Sequence, residues 1–196
     1  MTKPPLDTEA IARLRQRDPE TLRAAVQEHA RPLYRAARGM GFREDEAEDL
    51  VQDVLTTFLE TLDHFEGRSQ IRTWLFGILH HKTLERHRER YREALNDPID
   101  DVFESQFDNR GNWIRPPQDI QRLLESKEAG MAIGSCMETL PAMQREAFVL
   151  REMEEMDTPD ICKILDISVT NLGVMLHRAR NRLRECLETK GWRKDK

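Results

Sequence analysis

A short helix, a sharp turn and a longer basic helix, read between Asp157 and Leu187, constrain the fold more than any other stretch of the chain. Asp157 stands as the N-cap, Pro159 falls in the first turn and Asp160 occupies the capping-box position. Ile161, Ile164 and Leu165 supply the buried side of the short helix. Asp166 takes the turn, where a left-handed backbone is required and aspartate tolerates it better than most residues. Ser168 caps the next helix. Val169, Leu172, Leu176, Ala179 and Leu183 recur at helical spacing as its expected inner face, leaving Thr170, Asn171, Val174, His177 and Arg178 outward. This helix starts polar and turns basic through Arg178, Arg180, Arg182 and Arg184. Such a helix can enter a DNA major groove while its basic turns hold phosphates. Pro141 opens the preceding helix, with Ala147, Phe148, Leu150 and Met153 as its apolar contacts. Leu140 to Leu187 therefore reads as a four-helix unit ending in a helix-turn-helix.

The rest of the chain is also helical in pattern. β-Branched alternation is almost absent, and 34% of the 196 residues are charged, which favours small helical modules over one deep core. Asp18 and Pro19 start a helix whose Leu22, Val26, Leu33, Tyr34 and Ala37 fall near one face. Pro32 predicts a kink or break inside it, and Gly39-Met40-Gly41 ends it. A second helix begins near Glu44 with the stripe Ala47, Leu50, Val51, Val54, Leu55, Phe58 and Leu62. A third runs from about Ile71 to Arg92, with Trp74, Leu75, Ile78, Leu79 and Leu84 inward. Residues 94–123 lose periodicity and carry Asp97-Pro98, Gly111-Asn112 and Pro116-Pro117, the composition of a linker. The expected architecture is all-α: two small helical domains, 1–93 and 124–196, joined by that long acidic linker, with residues 1 to about 8 disordered.

The net charge of −5 hides a strong segregation. Glu44 to Glu66 holds nine acidic residues and no lysine or arginine; Arg68 to Arg92 holds seven basic residues against Glu85 and Glu89. Acid dominates again through the linker, and base from Asn171 onward. Two basic blocks separated by acidic ones imply two nucleic-acid contacts, with acidic surface left for a different partner.

Several function classes lack support. No apolar run approaches the ~20 residues that span a bilayer. The N-terminus has no apolar signal core, which gives a cytoplasmic expectation without membrane insertion. Cys136, Cys162 and Cys186 show no CxxC spacing and read as small apolar residues in a reducing compartment. His80-His81 followed by Glu85 lacks the HExxH spacing of a zinc site, since adjacent helical side chains diverge by about 100°. No phosphate loop, nucleophile elbow or paired-carboxylate motif is evident. No cofactor and no catalytic residue are expected.

Leu140-Pro141-Ala142-Met143-Gln144-Arg145-Glu146, Val149-Leu150-Arg151-Glu152, Ile167-Ser168-Val169 and Leu176-His177-Arg178-Ala179-Arg180 together form a pattern. It resembles region four of extracytoplasmic-function (ECF) sigma factors, which reads the promoter minus-thirty-five element. Ala47-Glu48-Asp49-Leu50-Val51-Gln52-Asp53-Val54 is similar to the region-two helix that docks on RNA polymerase. Phe65-Glu66-Gly67 followed by Ile71-Arg72-Thr73-Trp74-Leu75-Phe76 is similar to the minus-ten reading segment. The resemblance implies a transcription initiation factor whose partners are core RNA polymerase (clamp coiled coil and flap), promoter DNA and an anti-sigma factor. Glu48, Asp49, Gln52 and Asp53 would face the clamp coiled coil. Glu66, Gly67, Arg68, Ser69 and Gln70 would capture an unstacked minus-ten base, with Arg72, Trp74, His81, Lys82 and Arg86 beside them. Unstacking costs a few kcal/mol, so a pocket and a basic rim must offset it. Trp74, spaced with Leu75 and Ile78, also fits a core position. Ser168, Thr170, Asn171, Val174, His177, Arg178, Arg180 and Arg182 would serve the minus-thirty-five element. The acidic linker would thread toward the active-site channel of polymerase.

Two departures limit the transfer. Gly173, Val174 and Met175 stand in mid-recognition helix where family members often carry basic or hydroxyl residues, which shifts base reading toward Thr170, Asn171, His177 and Arg178. His81 stands where the family often has asparagine. The rival reading is a two-domain helix-turn-helix regulator that binds an operator by itself.

Overall fold

The fold is described from a computed structural model over residues 8–86 and 127–191. All regular structure among these residues is helical: α1 (Thr8–Arg15), α2 (Pro19–Met40), α3 (Glu44–Thr61), a 3₁₀ turn (Leu62–His64), α4 (Ile71–Arg86), α5 (Lys127–Met137), α6 (Ala142–Phe148), a π-helical turn (Val149–Met153), α7 (Thr158–Leu165) and α8 (Val169–Thr189). The linker expectation, residues 94–123, lies outside the described residues, as do residues 1–7 and the last turns expected of the third helix.

The chain gathers into two compact units. The first combines Met1–His87 with Val149–Ile167; the second combines Arg88–Phe148 with Ser168–Lys196. In the first unit α3 packs against both α2 and α4. The start of α2 is fixed as the sequence predicts: Asp18 Oδ2 accepts from Thr21 N at 2.9 Å and from Thr21 Oγ1 at 2.6 Å. Those two hydrogen bonds, the side-chain one first, hold the Asp18 carboxyl below its ordinary pKa. Gly41, at φ 102°, ends α2 in the left-handed conformation that glycine adopts without cost.

Pro32 does not break the chain into two helices: α2 is continuous from Pro19 to Met40 with the proline inside it. Burial of Leu33, Ala36 and Ala37 just beyond the proline anchors that turn on α3 and α4, and packing overrides the lost hydrogen bond. Ala47, Leu50, Val51, Val54, Phe58 and Leu62 are all buried as the helical stripe predicts. α1 was not anticipated at all; its Leu14 is fully buried.

In the second unit α8 packs on α5 and α6. Leu172, Leu176, Ala179, Leu183 and Leu187 are its buried positions together with Val174 and His177. The region Leu140 to Leu187 holds three α-helices and the π turn, not four helices. A disulfide joins Cys136 on α5 to Cys186 on α8 across 5.8 Å between Cα atoms. This overturns the reading of all three cysteines as isolated apolar residues; only Cys162 is a free thiol.

Candidate nucleic-acid interface

The loop between α3 and α4 is built on aromatic packing. The Phe65 ring stacks on Trp74 with centroids 4.6 Å apart, and Phe58 meets the same indole edge-on at 5.4 Å. Trp74 is half-buried and lies between the two phenylalanine rings, with Phe65 of the loop stacked on it. Gly67 turns the loop at φ 73°. Arg68, 79% exposed, pairs with Glu66 at 2.5 Å on the outside of the turn. Ser69 and Gln70 are half-buried and lead into α4.

Along α4 the expected basic rim divides. His81 is exposed while its neighbour His80 is buried, the divergence that adjacent helical positions require. Lys82 pairs with Glu85 at 3.8 Å. Arg86 Nη2 donates to Asp53 Oδ2 at 2.6 Å and its Nη1 to the Glu46 carbonyl at 3.3 Å, so this rim residue ties α4 to α3. Glu48, Asp49, Gln52 and Asp53 are all exposed on the side of α3 opposite its buried stripe. They form one continuous acidic face, with Asp53 at its Arg86-bound end.

Arg72 is engaged by a carboxylate that sequence reasoning missed. Glu154, with no exposed side-chain surface, accepts from Arg35 Nε at 3.1 Å and from Arg35 Nη2 at 3.0 and 3.1 Å. Arg72 Nη2 donates to Glu154 Oε2, which Arg35 Nη2 also reaches, at 3.2 Å, and to the Glu154 carbonyl. The Arg72 guanidinium also lies over the Phe76 ring at 5.6 Å. Burial raises the Glu154 pKa, and the two guanidiniums, Arg35 more than Arg72, oppose that rise. Gly39 completes this contact: a Cβ there would stand 2.9 Å from Val149 Cγ2 and 3.1 Å from Met153 Sδ. The acidic run Glu152 to Glu155 looks solvated in sequence. Only a run of acids following apolar Val149-Leu150 hinted otherwise.

The turn between α7 and α8 takes the predicted form. Asp166 adopts φ 52°, ψ 48°, and its N–H bonds to the Cys162 carbonyl. Ser168 Oγ accepts from Asn171 N at 3.1 Å, capping α8. Asp157 sits at the N-cap of α7, but its side chain makes no cap hydrogen bond, contrary to expectation. The faces of α8 also differ from those expected. Thr170 is exposed, Asn171 half-buried, and Val169, assigned to the inner face, is 63% exposed. Val174 and His177, assigned outward, are buried. His177 lies 3.0 Å from Asn181 Nδ2 through its Nε2. Burial lowers its pKa first, and Arg184, Arg180 and Arg178 lower it further. Arg178, Arg180 and Arg182 are half-buried, and Arg182 Nη1 donates to the buried Gln144 at 2.7 Å.

A capped helix behind a tight turn, a glycine-turned loop over an aromatic pair and an acidic helix face are the features that place the chain among helical proteins with a helix-turn-helix. Comparison with known proteins gives the family. Residues 25–93 match the model for sigma-70 region 2, and residues 130–183 match that for sigma-70, region 4. A probable RNA polymerase sigma factor of Haemophilus influenzae is 33% identical over 154 residues, covering 74% of this chain and 79% of that protein. The ECF RNA polymerase sigma factor SigX of Bacillus subtilis is 26% identical, covering 86% of this chain and 84% of its own. Among solved structures, the sigma factor RpoE of Bartonella quintana, in complex with the anti-sigma factor NepR, superposes with a TM-score of 0.62. It is 27% identical and covers 85% of this chain and 96% of that one. The chain belongs to the sigma-70 family and is an ECF-type RNA polymerase sigma factor, a transcription initiation factor. The reading as a free-standing operator-binding regulator is not favoured. No helix among the described residues is long and apolar enough to cross a membrane.

Proposed function

We propose that residues 1–93 act as a region-two domain that docks on core polymerase and opens the minus-ten element. Residues 94–123 then form an acidic linker, and residues 124–196 a region-four domain that reads the minus-thirty-five element. The exposed face Glu48, Asp49, Gln52 and Asp53 binds the clamp coiled coil, and the C-terminal domain meets the flap. Glu66 to Gln70 capture a minus-ten base, with Arg72, His81, Lys82 and Arg86 holding the strand and Trp74 supporting the loop. Ser168, Thr170, Asn171, Arg178, Arg180 and Arg182 contact the minus-thirty-five duplex, with Val174 and His177 shaping the helix behind them. The protein works in the cytoplasm, catalyses no reaction and uses no cofactor. An anti-sigma factor restrains it, as in the complex of the Bartonella quintana relative.

One observation carries this reading above the rest: four polar positions of α3 are all exposed while the opposite stripe of the same helix is buried. Asp53 also serves the fold by holding Arg86, but Glu48 and Asp49 beside it add like charge to a helix already rich in carboxylates. A cationic protein surface gives it a use. Arg72 and Arg86 each hold an acidic partner here, so their use on DNA needs those contacts exchanged for phosphate.

The test is reconstitution. Charge reversal at Asp49 and Asp53 together is expected to abolish co-purification with core polymerase and run-off transcription, while the circular dichroism spectrum is unchanged. Normal co-purification would refute the docking face.

A further inference from the structure

The family model for region two begins at residue 25, yet a helix lies ahead of it against the base-capture loop. α1 reaches that loop through three contacts. Ile11 occupies the space beside Gly67: a Cβ at residue 67 would collide with Ile11 Cδ1 and lie 3.2 Å from its Cγ1. Arg15 Nε donates to the Phe65 carbonyl at 3.0 Å. Just after the helix, Arg17 pairs with Asp63 at 3.8 Å. Leu14, fully buried between these residues, anchors α1 in the same unit.

The contacts of Ile11 and Arg15 fall on the loop backbone. Phe65 is pinned from below by its ring on Trp74 and from above by Arg15 on its carbonyl. Gly67 has φ 73°, a conformation that glycine shares with several alternatives, so glycine alone does not select it. Ile11 packs against that glycine on the side a Cβ would occupy, which limits the room for the loop backbone to move. Arg68, Ser69 and Gln70 leave this fixed point directly, and their direction follows from it. Capturing an unstacked base requires donors already in place, since loop ordering at the moment of binding adds to the unstacking cost.

We propose that α1 is a positioning element for minus-ten recognition: Ile11 and Arg15 set the backbone of Phe65 to Gly67 and thereby the base preference of the loop. This rests on the reading of Glu66 to Gln70 as the base-capturing segment. Arg15 is exposed and meets the loop through one hydrogen bond, so thermal melting of its variants reads any cost to the fold separately from promoter melting.

The experiment uses full-length protein with core polymerase on a promoter carrying 2-aminopurine in the minus-ten non-template strand. Four variants are compared: Ile11→Ala, Arg15→Gln, Arg15→Lys, and the loop triple Arg68→Ala/Ser69→Ala/Gln70→Ala. Melting is read by fluorescence, base preference by a set of single minus-ten substitutions, core affinity by anisotropy and folding by thermal melting. Ile11→Ala and Arg15→Gln are expected to lower melting about tenfold and flatten the preference among bases, with core affinity within about twofold of wild type. Arg15→Lys, which can still donate to the Phe65 carbonyl, is expected to recover most of both. If the loop triple impairs melting while Ile11→Ala and Arg15→Gln leave melting and preference unchanged, the positioning role is wrong and the loop reading stands. If the loop triple has no effect, the loop reading fails and the proposal fails with it. Should Ile11→Ala unfold the domain, Arg15→Gln and its lysine rescue decide alone.

Discussion

Replacing Glu154 by alanine tests the internal contact that gathers Arg35 and Arg72. Breaking a buried ion pair commonly costs about 3–5 kcal/mol, because the surviving partner is left charged and dry. That premise holds only in part here. The Glu154 side chain is wholly buried, but those of Arg35 and Arg72 are 51% and 35% exposed. On losing the carboxylate, both guanidiniums can recover water, and the carboxylate's own desolvation is relieved. What goes uncompensated is a group of charge-assisted hydrogen bonds and the space they filled. The expected loss is therefore about 1–2 kcal/mol, below the figure for a fully buried pair. For a chain of this size that corresponds to a melting temperature lower by about 2–8 °C. The assay is thermal and urea denaturation followed by circular dichroism, with Glu154→Gln alongside. The glutamine keeps the shape and one acceptor oxygen, and it removes titration. Burial raises the carboxyl pKa in the folded state, so the folded protein holds a proton the unfolded chain has released. Wild-type stability should thus fall as pH rises from the ordinary carboxylate range upward, and Glu154→Gln should flatten that slope. An alanine variant as stable as wild type, or one losing the full cost of a dry pair, would refute the reasoning about rehydration.

Three further outcomes follow from the second unit. The disulfide between Cys136 and Cys186 spans 50 residues, so chain entropy assigns it a stabilisation of about 4 kcal/mol at most; urea curves with and without reductant should separate by an amount up to that, and coincident curves would deny the cross-link. Ser168→Ala should cost about 1 kcal/mol of cap energy, whereas Ser168→Asp should preserve stability and still weaken minus-thirty-five duplex binding through repulsion of phosphate; equal DNA binding by the two would remove the helix start from the interface. Burial and the three neighbouring arginines depress His177, so the folded state resists the proton that the unfolded chain accepts. Stability should therefore decline as pH falls through the ordinary imidazole range, and His177→Gln should abolish that part of the decline in an acid titration.

Features written in consecutive residues were legible in the sequence. The α3 stripe, the Asp18 cap, the Gly41 stop and the left-handed Asp166 each depend on neighbours within a turn or two, so composition and spacing specify them. α1 carried such a signal too, in Ile11 and Leu14 three residues apart, but a segment of two apolar positions is too short to stand out from a polar terminus. Pro32 shows the converse: the break that a local rule allows does not occur, and Leu33, Ala36 and Ala37 just beyond it are buried.

What the sequence concealed depends on partners far along the chain. Glu154 is 119 residues from Arg35 and 82 from Arg72, and Cys186 is 50 residues from Cys136. No periodicity encodes such pairs, and an acidic residue among other acids reads as solvated until its arginines are known. The same blindness explains α8. Its apolar spacing identified Leu172, Leu176, Ala179 and Leu183 correctly, because one buried stripe is what a 3.6-residue period reveals. Val174 and His177 lie off that stripe and are buried as well, so the helix is covered over more of its circumference than a single stripe describes. The burial moves the polar contact surface toward the first turn, where Ser168 and Thr170 are exposed. Gly173-Val174-Met175, in the second turn of α8, fit that shift. The glycine and two apolar side chains offer no base-edge hydrogen bond, so the proposed minus-thirty-five contacts divide into base reading from the capped start of the helix and phosphate contacts from the arginines beyond it.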